Sequence, residues 1–174
     1  MRLRPLVFLL VAACASGGGS STFTPEIDGS APCSSAQDVQ VMSTVAHIEP
    51  GTTAQYNSDP PTSGEHYSIR GTAPAPVGVY PDPIENERQV HNLEHGHVVV
   101  QYRDLTDEEL DAVRAPVLAD PFMMLMAPRP QMEWKLALTS WGKLQVCREI
   151  PDDVGELIRT FVVQNRDNAP ESIP

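Results

Sequence analysis

The chain is short of positive charge, of long apolar runs and of cysteine, and each shortage removes a class of function. Twelve lysines and arginines stand against 23 aspartates and glutamates, a formal net charge of −11. Such a surface repels polyanions, which argues against nucleic acid as a partner and against a purely electrostatic contact with anionic lipid. Excess acid is also an ordinary way for an exported protein to stay soluble, so it assigns nothing by itself. The apolar run from Leu6 to Ala13 is too brief to span a bilayer as a mature helix. Cysteine occurs three times and histidine five times, and no internal repeat is visible.

What is present begins with a leader. Met1-Arg2-Leu3-Arg4-Pro5 is basic and the stretch after it apolar, the pattern of a secretory signal over residues 1–13. Val11-Ala12-Ala13-Cys14 resembles the bacterial lipobox, in which small residues precede a cysteine that becomes the lipidated N-terminus. Cys14 is therefore expected to carry lipid and to place the chain in the bacterial cell envelope, outside the cytoplasm, with the membrane as a partner through that lipid. The alternative is an ordinary cleavage site beside a chance cysteine. Ala15 and Ser16 put no acid after the cysteine, which by the same resemblance favours an outer membrane where the cell has one. Without Arg2 and Arg4, 10 basic residues face 23 acidic ones, a net of −13.

Ser16 to Ser21 is serine and glycine only, a composition that loses too much backbone entropy to order readily and acts as a tether. The expected organisation is signal peptide 1–13, lipid anchor and flexible tether 14–32, and one domain over 33–171. After Thr22 roughly 150 residues remain, enough for one core and not comfortably for two. Cys33 and Cys147 form an even pair in an oxidising compartment and are expected to make a disulfide. Closing a loop of that length stabilises by roughly 4 kcal/mol in the chain-entropy account, less any strain. Two thiolate metal ligands are the rival reading, and exported thiols tend to oxidise.

Val39 to Ile48 alternates loosely and predicts a first strand containing His47. Seven prolines then fall between Glu49 and Glu85, forbidding regular ladders and long helices over a segment that has reason to exist only if it lines a site. Val98 to Tyr102 predicts a buried strand. Thr106 and Glu109 have the spacing of a capping box, which predicts a helix to about Leu118. Phe122–Ala127 and Trp134–Trp141 predict two more strands, Leu144–Cys147 a hairpin partner across Gly142, and Val154, Leu157, Ile158, Phe161 and Val162 one face of a last helix. The fold class is α+β: a small antiparallel or mixed sheet with two amphipathic helices and a long proline-rich loop.

Three of the five histidines lie within seven residues, in His91-Asn92-Leu93-Glu94-His95-Gly96-His97, and His66 ends the turn Pro60-Pro61-Thr62-Ser63-Gly64-Glu65-His66. Neutral imidazole is the commonest protein ligand for transition metals, so the crowding predicts a metal site. A spacing of four puts His91 and His95 on one side of a helical turn, with Gly96 the switch into the strand and His97 of undetermined facing. His66 is the candidate to reach the pair from elsewhere. With no thiolate on offer, the affinity order favours copper, then zinc. Met123, Met124, Met126 and Met132 are close together; as a group they read as core filler, and Met132, after the turn Pro128-Arg129-Pro130, is the candidate fourth ligand.

Pro60 to His66, Gly78-Val79-Tyr80, Val90 to Gly96, Ala137 to Gly142 and Ala169-Pro170-Glu171 together resemble the signature of an exported bacterial family catalogued as a domain of unknown function. The resemblance covers most of residues 39–171 and implies little chemistry. His66, His91, Glu94 and His95 fall inside its motifs, His97 at a position often glycine there, and His47 outside them.

His91-Asn92-Leu93-Glu94-His95 also has the letters of the inverted zinc-peptidase motif, with the glutamate as general base. That chemistry wants a long helix and a further carboxylate ligand, whereas Gly96 and a valine strand follow at once. Glu94 reads better as an acceptor for an imidazole N–H or an ion-pair partner of Arg88 or Arg70. The expected function is a lipid-anchored protein that holds or delivers copper or zinc through His66, His91 and His95. The alternatives are a metal-dependent enzyme with Glu94 as acid or base, and an interaction module whose histidines only hydrogen-bond.

Overall fold

The computed structural model describes residues 22–68 and 72–171. The leader, Cys14, the serine-glycine run and Arg70 lie outside the described residues. A mixed six-stranded sheet has the order β1-β8-β7-β5-β6-β4, with β1 Gln37–Asp38, β4 Gly78–Val79, β5 Val98–Tyr102, β6 Met124–Pro128, β7 Leu136–Ser140 and β8 Lys143–Cys147. A separate parallel pair joins β2 His47–Ile48 to β3 His66–Tyr67. The helices are α1 Asn86–Glu94, α2 Asp107–Ala119 and α3 Val154–Asn165. The fold is α+β, with three helices where two were expected.

The sheet is buried on both faces, which is why its strands read as nearly continuous apolar runs. Alternation along each strand divides the core. Val98, Val100, Met124, Met126, Leu136 and Leu138 face α2 and α3 with Val113, Val117, Ile158 and Phe161. Val99, Leu125 and Ala127 point the other way, to Leu93 of α1. Met124 and Met126 are thus core filler, as their setting among valines implied. β5 runs parallel to β6 and antiparallel to β7, and β7 turns into β8 at Trp141-Gly142.

Thr106 caps α2 as its spacing predicted: Glu109 N donates to Thr106 Oγ1 (3.2 Å) and Thr106 N to Glu109 Oε2 (2.8 Å). Cys33 and Cys147 are joined by a disulfide. Residues 22–32, assigned from sequence to the tether, lie against the domain: Phe23 and Ile27 pack on the cluster of Val39, Ala137, Leu144 and Val146, and the Gln37 side chain bonds both Glu26 N and Glu26 O. The expected strand over 39–48 survives only at its end, as β2. Between, Met42 N donates to Ser63 Oγ (3.0 Å), so that backbone serves the Pro60–His66 turn instead of a ladder. Strands β6 and β7 each begin two residues later than expected, Met123 having a positive φ of 54° that prevents extension.

Helix α1 was not anticipated because its sequence, Asn-Glu-Arg-Gln-Val-His-Asn-Leu-Glu, carries almost no apolar period. Seven of its nine residues are nonetheless buried, and what holds it is polar. The Asn92 amide bonds both Ala75 N (2.8 Å) and Ala75 O (2.9 Å), and Glu87 Oε1 accepts from Ala54 N (2.9 Å). The proline-rich segment is pinned to α1 by these side-chain-to-backbone bonds, which replace the ladders its prolines forbid.

Candidate metal centre

Two short elements bring the imidazoles together. In the parallel pair β2–β3, His47 and His66 are register partners, so both rings leave the same face. Helix α1 packs on β3 and ends over it, adding His91 and Glu94 one turn apart. The Pro60–His66 turn is buried almost throughout. Its Gly64 has φ 130°, and a Cβ there would approach the Tyr56 ring at 3.0 Å, so a side chain at this position would displace the turn that presents His66.

One ligand atom each from His47, His66, His91 and Glu94 lie within 4.8 Å of one another. Ligands sharing one ion at ~2.0 Å sit no more than about 4 Å apart, so binding would draw the group inward by a fraction of an ångström. Within it, Glu94 Oε2 is 2.8 Å from His66 Nε2 and 3.8 Å from His47 Nε2. His66 is fully buried, the Glu94 side chain 7% exposed and that of His47 50% exposed. The centre is closed on three sides and open on the fourth.

Tautomers follow from the backbone. His66 Nδ1 lies 2.8 Å from Gly64 O and His91 Nδ1 2.5 Å from Tyr67 O. A carbonyl only accepts, so both Nδ1 atoms carry protons and donate, which leaves each neutral ring with a lone pair on Nε2: that of His66 faces Glu94, and that of His91 accepts from His95 Nε2 at 3.1 Å. A ligand imidazole held through its other nitrogen has this arrangement. It also means that His66 Nε2 and Glu94 Oε2 face each other as two acceptors, and neither buried atom has a hydrogen-bond partner among the described residues. That contact requires a shared proton or a cation.

Electrostatics add to the requirement. Glu94 is the last residue of α1, where the helix dipole is negative and disfavours a carboxylate. Among the described residues, its ion-pair partners are imidazoles only, with neither lysine nor arginine in reach. Arg88, offered from sequence as its partner, makes no ion pair with it. Burial is the main cause that lowers the His91 pKa to about 4, with the His66, His95 and His47 rings adding to it and the Tyr67 hydrogen bond opposing it. At neutral pH the His91 ring is therefore uncharged, with a proton on Nδ1 and a lone pair on Nε2.

His95, expected beside His66 and His91, is set to one side. Its Nε2 is 3.1 Å from His91 Nε2 and 3.9 Å from Glu171 Oε2, and it belongs to a second group of Glu94, His95 and Glu171. Met132 is not with the imidazoles: it is fully buried with Val39, Ala137, Leu144 and Val146, so its thioether fills core. His97 lies in neither group, and its Nδ1 donates to Asn92 O (3.0 Å), tying the end of α1 to the start of β5. Burial lowers its pKa. The residues missed from sequence are His47 and Glu171. His47 carried no motif, and only the pairing of β2 with β3 reveals it; Glu171 stood inside the Ala169-Pro170-Glu171 motif without any sign of what it faces.

The chain belongs to the family described as Protein of unknown function (DUF3105), which matches residues 47–173 and so contains every residue of both groups. No curated protein matches the chain, and no solved structure does.

Proposed function

We propose that this member of a family of unknown function holds a divalent transition-metal ion through His47, His66, His91 and Glu94, for storage or delivery at the cell envelope. The observation that carries the reading is the convergence of these four side chains, three of them buried, from two strands and a helix end. The unpartnered Nε2 lone pair of His66 and the buried carboxylate it faces make a set that an ion completes, with His91 Nε2, which otherwise accepts from His95 Nε2, beside them. Three imidazoles and one carboxylate suit first-row divalent ions, and the affinity order puts copper(II) ahead of zinc. Met132 lies in the core and Cys33 and Cys147 are oxidised, so none of these three draws the site towards cuprous ion.

Delivery is supported by the half-exposed His47, the one ligand an acceptor protein could displace without opening the core. Anchoring through a lipidated Cys14 rests on the sequence of residues 6–14 and keeps the domain near its membrane. The enzyme reading is weaker. The Glu94 carboxylate lies within the ligand group rather than free to act as a base, and α1 ends at Glu94, so the inverted peptidase motif is not contained in one helix.

The test is metal analysis of the protein purified from the membrane fraction of its own cells, followed by thermal melts with and without copper(II). One tightly held equivalent is expected, lost in His66→Ala. An ion at a hundred times its dissociation constant adds about 2.7 kcal/mol, which for a domain of this size raises Tm by roughly 5–10 °C. Metal-free protein whose melt ignores both copper(II) and zinc(II) would refute the reading.

A further inference from the structure

Glu94 belongs to both side-chain groups. It sits with His47, His66 and His91 on one side and with His95 and Glu171 on the other, each set offering ligand atoms within 4.8 Å of one another. The two sets differ in access. The first is mostly buried; in the second the His95 side chain is 21% exposed and that of Glu171 54% exposed. The rings of His91 and His95 bridge them, with centroids 4.8 Å apart and Nε2 atoms 3.1 Å apart.

Glu171 does not reach this place by chance of a loose tail. After α3 the chain folds back over the end of α1: Asp167 N donates to Gly96 O (2.9 Å) and Glu171 N to Glu94 O (3.2 Å). Gly96 makes the approach feasible, because it has φ 81° and a Cβ there would lie 2.8 Å from Asp167 Cα, closer than backbone atoms allow. Two of the buried atoms that lack partners among the described residues, Glu94 Oε2 and His95 Nδ1, belong to this same shared region. Two carboxylates and an imidazole with one carboxylate common to an adjacent site are the ingredients of a bridged pair of metal positions.

We infer that His95 and Glu171, with Glu94 shared, form a second and outer metal position, so that the protein takes up two divalent ions, the outer one weaker and exchanging with solvent. It rests on the proposed inner site. The outer position is the entry step: an ion captured by the exposed Glu171 and His95 reaches the inner ligands by exchange across the Glu94 carboxylate, and leaves the same way.

The experiment is equilibrium dialysis of the purified protein against zinc(II), with copper(II) in parallel, together with stopped-flow loading of metal-free protein. Wild type should bind two equivalents in separable steps. Glu171→Gln should lose the weaker equivalent, keep the tighter one within about threefold, and load it more slowly. Gly96→Ala, which pushes the tail away, should lose the same equivalent; should that variant fail to fold, Glu171→Gln and His95→Ala decide. A single equivalent in wild type, abolished by His66→Ala, would leave the inner site standing and overturn the outer one. Two equivalents retained in Glu171→Gln would overturn it as well. No equivalent at all in wild type would remove the inner site, and the outer with it.

Discussion

His66 Nε2 lies 2.8 Å from Glu94 Oε2, while the other nitrogen of the same ring gives its proton to Gly64 O at 2.8 Å. An imidazole oriented in this way has only a lone pair to show the carboxylate. Two buried acceptors in contact are unfavourable by the cost of their lost hydration, so the pair is stable only around a positive charge. The candidate function grows from this relationship more than from the number of histidines.

Glu94→Gln separates the two ways of supplying that charge. The amide removes an unpaired carboxylate from the negative end of α1 and can donate to His66 Nε2. The metal-free variant should therefore melt higher than wild type, while its affinity for copper(II) or zinc(II) falls by more than the ~10–100-fold typical of residues that only support a ligand. Paired melts and metal titrations read both. An apo variant that melts lower, with affinity intact, would show that Glu94 is an ordinary structural acid.

His47→Ala should weaken metal binding without weakening the fold. Its side chain is half exposed, and exposed substitutions usually stay within about 0.5 kcal/mol. Chemical denaturation of the metal-free protein should give an unchanged midpoint, and dialysis should give a lower affinity. His97→Ala should do the reverse, since His97 ties α1 to β5 and faces neither metal group.

Acid should destabilise the metal-free protein through His91. Its pKa is about 4 in the fold against about 6.5 for free imidazole, so between these values the unfolded chain binds more protons than the native one. Stability is then complete above about pH 6.5 and falls towards pH 4, by at most about 1.4 kcal/mol per pH unit from this residue. Denaturant midpoints across that range should slope accordingly, and His91→Gln should flatten the slope.

Met132→Leu tests the sulfur ligand suggested by sequence. A core exchange of similar volume costs less than about 1.5 kcal/mol, and affinity for either metal should not change, because Met132 packs among Val39, Ala137, Leu144 and Val146.

Strands β5 to β8 and helices α2 and α3 were legible because their burial is apolar and periodic; the two-residue strands β1, β3 and β4 were not, being too short to carry a pattern. Val98 to Tyr102 read as a strand and is one, and Thr106 with Glu109 marked the start of α2 to the residue. Helix α1 was not legible, since Asn92 and Glu87 hold it by hydrogen bonds to distant backbone that no periodicity records. His66, His91 and His95 were visible as a crowd of imidazoles; the structure brings His66 and His91 together with Glu94, which from sequence read only as their supporting acceptor or as an acid/base. The exchange of His95 for His47 was not visible, because it depends on a two-residue parallel pairing between segments 19 residues apart, His47 with His66.

By itself, then, the sequence determined the α+β class, the pairing of Cys33 with Cys147, and the presence of a metal-type donor set poor in sulfur, for these follow from composition, alternation and cysteine parity. Only the tertiary structure decided which donors share a point in space, which nitrogen of each ring is free, and that Glu94 stands between two groups. Those properties are set by contacts between segments far apart in the chain, and a hydrogen bond from a ring nitrogen to the carbonyl of Gly64 or Tyr67 leaves no trace in the order of residues.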